Sequence, residues 1–163
     1  MKTKILFLVF LFITLPDLYS ESKYRTYRGG WFEVDYPKQF TVQPSIPSSM
    51  DGKYDSVYFQ SPDKKVKYYI YSPQWSGDAK DIEQDLKLED EIDTKTSTKN
   101  GFNYRWFTFR AKNKSYSRSY METTNEENTT KLIVGIEYRT QKDYEKYKKD
   151  YLYFKKSIKQ FAD

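Results

Sequence analysis

Histidine and cysteine are both absent from the 163 residues. Without imidazole or thiol there is no Ser-His or Cys-His nucleophile, and no side chain whose ordinary pKa makes it an acid or base near neutral pH. The same absence removes the ligands of the usual zinc, copper and non-haem iron sites. It also excludes disulfides, so a hydrophobic core must hold the fold unaided. Glycine is scarce, six residues with Gly29 and Gly30 the adjacent pair. Neither the dinucleotide-binding fingerprint nor the P-loop spacing can be built from them. No apolar run reaches the roughly 20 residues of a membrane-spanning helix.

The apolar run that does exist, residues 5–15, follows Lys2 and Lys4 and precedes Pro16, Asp17 and the small residue Ser20. A charged start, a short greasy segment and a small residue at the exit are the parts of a secretory signal. Residues 1–20 are therefore expected to be a signal peptide and 21–163 one domain, exported to a periplasm or to the extracellular space, with no integral membrane segment after cleavage. No cysteine stands at the exit to accept a lipid. Loss of Lys2, Lys4 and Asp17 takes the net charge from +5 to +4. Such a mild excess, without a dense Lys/Arg stripe, gives no reason to expect nucleic acid as a partner.

Tyrosine is what the chain has in abundance, 17 residues; its ring packs while its hydroxyl stays wet. WFEVDYP (31–37) alternates, placing Phe32, Val34 and Tyr36 on one side of a strand. A short extended piece at 39–43 and a loop at 44–55 follow. Ser56–Gln60 and Val66–Tyr71 read as a hairpin across the turn residues 61–64, with Val66, Tyr68 and Ile70 on a core face and Lys67, Tyr69 and Tyr71 on an aromatic one. Residues 76–93 turn acidic, with eight Asp/Glu against Lys80 and Lys87. Asp78 could cap a short helix there with Ile82 and Leu86 inward, although Leu86, Leu88 and Ile92 also fit a strand period. Extended runs at 103–111, 115–124 and 131–138, separated by polar breaks, favour an antiparallel meander. Tyr144, Tyr147, Tyr151, Phe154, Ile158 and Phe161 fall on one face of a terminal helix, and Thr140 with Asp143 resembles its capping box.

For chemistry, carboxylates remain, but nothing singles out a catalytic pair. The acidic run lacks the EF-hand pattern, so calcium is not expected. Trp31, Trp75 and Trp106 are each weighed between packing and recognition. Asn113-Lys114-Ser115 and Asn128-Thr129-Thr130 match the glycosylation sequon, which matters only in a eukaryotic secretory route.

The order WFEVDYP, DSVYFQSPD (55–63), VKYYIYSPQWSG (66–77), LIVGIEYRT (132–140) and the Tyr-rich terminal segment resembles the PsbP-like family, the fold of an extrinsic photosystem II subunit and of a Ran-binding nuclear transport factor. The resemblance covers most of residues 31–163. It implies an α+β fold, an antiparallel sheet of about six strands flanked by helices on both faces (an α/β/α sandwich). It also implies a non-catalytic binding or assembly role, and it carries over no ligand-contacting residue. The resulting expectation is a non-enzymatic interaction module of the cell envelope without a cofactor. It would bind a protein partner around Tyr69, Tyr71, Trp75, Ser76 and Gly77. The alternative is a carbohydrate-directed protein, either a lectin-like binder or a carboxylate glycoside hydrolase.

Overall fold

A computed structural model describes residues 22–75 and 77–161; the expected signal segment lies outside them. The strands are β1 (Tyr24–Arg28), β2 (Phe32–Pro37), β3 (Thr41–Pro44), β4 (Ser56–Gln60), β5 (Val66–Tyr71), β6 (Glu89–Lys99), β7 (Phe102–Ala111), β8 (Ser117–Asn125), β9 (Lys131–Tyr138) and β10 (Lys159–Gln160). Helix α1 (Gln141–Ser157) precedes β10, and one turn of 3-10 helix spans Lys80–Ile82. The main sheet has the order β3-β4-β5-β9-β8-β7-β6, and a smaller sheet the order β1-β2-β10. Both are antiparallel throughout.

The two periods seen in the sequence give the main sheet two apolar faces. On one, Val57, Phe59, Val66, Tyr68, Ile70, Val134 and Ile136 pack against Phe32 and Val34 of β2 and against Tyr147, Tyr151 and Phe154 of α1. The 3-4 spacing of these helical rings is what aims all three at the sheet. The Tyr68 hydroxyl is buried there and donates to the Tyr147 carbonyl at 3.0 Å. Thr140 caps the helix, its Oγ1 accepting from the Asp143 N–H at 3.2 Å. On the opposite face Tyr69, Tyr71, Phe107, Phe109, Tyr120 and Ile133 form a second cluster around Ile82.

The expected α+β fold, a sheet of about six strands in a sandwich with helices on both faces, is not formed: the described chain is mostly β, in one seven-stranded and one three-stranded antiparallel sheet. Among the described residues α1 is the one α-helix, and it lies with the small sheet on the first face only. The helix read from Asp78 reduces to the turn at Lys80–Ile82, after which Glu83 takes extended angles, φ −52° and ψ 146°. A continuing helix would spend the carbonyls of Ile82 and Glu83 on N–H groups four residues ahead. Here the Arg118 guanidinium takes both, at 2.9 and 2.8 Å. Ile82 goes inward as its spacing indicates, while Leu86 is 74% exposed. The acidic segment is thus a strap, residues 77–88, laid across the second face.

Candidate interaction groove

Asp81 fastens the strap to the sheet. Its carboxylate accepts from the Tyr69 hydroxyl at 2.7 Å and from Ser56 Oγ at 2.6 Å, while its carbonyl accepts from the Tyr58 hydroxyl at 2.8 Å. Burial first, then the Asp81 charge, pushes the Tyr69 and Tyr58 hydroxyls well above the ordinary tyrosine range, so both remain donors. Arg118 braces the strap further along. Besides the two carbonyls it holds both carboxylate oxygens of Glu89, at 2.6 and 2.5 Å, and its guanidinium lies 4.8 Å from the Phe109 ring centre. Burial alone would raise the Glu89 pKa; hydrogen bonds from Arg118 and Tyr116 outweigh it and hold the carboxyl below its ordinary value.

Beside the strap the sheet is left open. A cleft of about 640 Å³ runs between Gly77 and Asp78 on one wall and Thr96, Thr98, Asn103, Arg105, Glu122, Thr124 and Lys131 on the sheet. It continues as a second cavity of about 360 Å³ that shares Asp78, Arg105, Glu122 and Lys131 and reaches the strap residues Ala79, Ile82, Glu83 and Gln84. Glu122 sits between two cations on the floor, 3.3 Å from Lys131 Nζ and 4.0 Å from Arg105. The surface is therefore a groove of hydroxyl, amide and alternating charge, with apolar packing beneath it. Among the described residues no group of three His, Cys, Asp or Glu side chains could hold a metal ion.

The five residues singled out in the sequence divide. Tyr69 and Tyr71 are 1% and 3% exposed, and their rings belong to the second-face core. Burial chiefly, with Asp55 next, pushes the Tyr71 hydroxyl up to about 12. That hydroxyl ends against Gly77, where an added Cβ would lie 2.6 Å from it, so Tyr71 and Gly77 meet at the cleft wall. Trp75 is 61% exposed, two residues before Gly77. Ser76 lies outside the described residues. Trp31 is half-buried, and Trp106 stacks on Tyr104 with ring centres 5.8 Å apart at 16°.

Sequence reasoning missed Thr96, Thr98, Asn103, Arg105, Glu122 and Lys131. A signal was present: Asn103 and Arg105 continue the alternation of Phe107 and Phe109 on β7, and Glu122 continues that of Tyr120 on β8. A face that is apolar at one end and polar at the other marks where cover stops.

No protein-family model matches the chain, and no curated protein does. Among solved structures it is similar to the solution structure of cyanobacterial PsbP (CyanoP) from Synechocystis sp. PCC 6803. That similarity has a TM-score of 0.52 and 11% identity over 91% of this chain and 99% of that one. The two-faced antiparallel sheet, the terminal helix that covers one face and this superposition together show that the chain has the PsbP-like fold.

Proposed function

We propose that the chain is an exported, non-catalytic interaction module that holds a protein partner along the groove beside the strap, with Trp75 as an anchoring ring. The observation that carries the reading is the groove itself, an open polar channel along a fixed strap, with a tryptophan 61% exposed two residues before its Gly77 wall in the sequence. Exposed aromatic residues and arginines are preferred contact residues. The PsbP-like fold supports the reading, since the family resemblance in the sequence implies a non-catalytic binding or assembly role. Assembly in a cell envelope and export both rest on residues 1–20.

Cross-linking and capture from the exported fraction would test it, comparing wild type with Trp75→Ala and Arg105→Ala. Loss of the same captured protein in both variants, with unfolding midpoints unchanged, is the expected result. Equal capture by all three would overturn it, as would specific turnover by the purified domain. Export is tested separately by N-terminal sequencing, which should find chains that begin at Glu21; retention of Met1 in the cytosol would refute it.

One observation favours carbohydrate as a second reading. Trp106, stacked on Tyr104, lines a shallow pocket with Thr108 and Ser119, and an aromatic face beside hydroxyls suits a sugar ring. A glycan array that shows binding abolished by Trp106→Ala would transfer the function to that pocket.

A further inference from the structure

The two edges of the main sheet differ. β3 is four residues long and ends at Pro44, which has no N–H to offer. β6 is eleven residues long with no proline or glycine, and all of it beyond Glu89 is exposed. An open edge of that length is a template for another strand unless it is managed.

Its charge is segregated along the strand. EDEIDTKTSTK places the carboxylates before Thr94 and the amines, Lys95 and Lys99, after it. In an antiparallel pairing of two identical strands, opposite residues share a face, so successive registers differ by two residues. With Thr94 opposite Thr94, Asp93 of each copy faces Lys95 of the other, twice. The neighbouring registers set Asp93 against Asp93 or Lys95 against Lys95, and like charges directly opposite are unfavourable. Asp93 and Lys95 also line one shallow pocket with Trp106, which places both on the same face. The register is thus chosen by the strand's own sequence, and the complementary partner is a second copy.

We infer that β6 is a self-recognition edge, through which two copies of this chain join their main sheets about a two-fold axis at Thr94. The bulge between Glu91 and Asp93 confines the regular ladder to residues near the axis and keeps the contact small. Ile92, 45% exposed in the single chain, is shaded by the second strand. The pairing engages the outer edge of β6, whose Thr96 and Thr98 side chains line the groove wall, and does not need Trp75; its readouts, mass and cross-linking of two copies, are separate from capture of the proposed partner.

Sedimentation of the full mature chain from roughly 10 to 500 μM, the range in which a small interface becomes populated, reads the dimer directly. Wild type should shift toward twice its mass, Asp93→Lys and Lys95→Asp should each remain monomeric, and the double exchange Asp93→Lys with Lys95→Asp should restore the dimer. Because the chain has no cysteine, Thr94→Cys gives an independent reading. Across the axis the Cα atoms would stand about 4.5–5.5 Å apart, within the roughly 4.4–6.8 Å that a disulfide spans. Ser97→Cys would stand six residues out of register, about 20 Å from its counterpart. Cross-linking of Thr94→Cys but not Ser97→Cys supports the axis. A wild type monomeric at every concentration, an exchange that fails to restore the dimer, or equal cross-linking of the two cysteine variants would each overturn it.

Discussion

Gly135 pairs with Tyr69 on one side and Tyr120 on the other, and the two rings meet over it edge to face, centres 5.7 Å apart at 89°. A Cβ at this position would lie 2.1 Å from Cδ1 of Tyr120. The glycine therefore makes room for the second-face core; no left-handed backbone angle requires it. Gly135→Ala should lower stability by about 1–3 kcal/mol, the usual cost of overpacking, read as a shift in the urea midpoint. An unchanged midpoint would mean that the rings slide aside freely.

Glu89 is the residue through which pH acts on the strap. Its folded pKa is depressed, whereas an unfolded glutamate titrates near about 4.3. The native state therefore binds fewer protons, so the stabilisation is complete above the unfolded value and is lost as pH falls through the folded one. Wild type should accordingly lose more stability than Glu89→Gln between about pH 5 and pH 3, the two converging on acidification. Parallel stability curves over that window would refute the account. At neutral pH Glu89→Ala strands the Arg118 charge, and losing one partner of a buried pair costs about 3–5 kcal/mol.

At the scale of elements, the strap is held by few points, and Asp81 joins three of them. Asp81→Ala removes two hydrogen bonds to a carboxylate, a loss of about 2–3 kcal/mol once relaxation is allowed for. Amide exchange should rise in residues 77–88 while β5 and β9 remain protected. Uniform acceleration across the sheet would instead make the strap part of the cooperative core. What was legible in the sequence follows the same division. β2 and β5 are stated by alternation, and α1 by its 3-4 spacing and the Thr140 cap as far as Ser157, because in each the pattern records a face that the element itself buries; the stripe residues Ile158 and Phe161 lie beyond the helix end. β1, YRTYR, is half-exposed and polar; it is a strand only because β2 lies beside it. β10 has two residues and exists through the same partner. The strap misleads because its inward residue, Ile82, fits a helix, while what ends the helix is Arg118, 36 residues away. Of the groove, the sequence singles out Gly77 alone, and its wall on β6, β7 and β8 is missed because the pairing that assembles it is non-local.

Across the whole molecule, tyrosine does two jobs that other chains divide between aliphatic residues and buried polar networks. Its rings fill both cores, and its hydroxyls tie layers together, Tyr68 to the α1 backbone and Tyr58 and Tyr69 to the strap. This makes the fold sensitive to alkali. Burial, the leading cause in every case, pushes the hydroxyls of Tyr58, Tyr68, Tyr69, Tyr120 and Tyr151 above their ordinary range. In the unfolded chain they ionise near about 10. The folded state thus keeps protons that the unfolded state releases, so their stabilisation is complete below the unfolded pKa and drains away as pH rises beyond it. Phenolate absorbance should therefore rise in two stages, exposed rings first near the ordinary value, then the buried set together with the collapse of near-ultraviolet dichroism. The second stage should move to lower pH in Asp81→Ala, which frees the Tyr69 hydroxyl from its carboxylate and removes the negative charge beside Tyr58, without adding or removing a tyrosine. A single smooth titration of all the rings near the ordinary value, with the dichroism intact, would show that the hydroxyls reach solvent and that the layers are held by apolar contact alone.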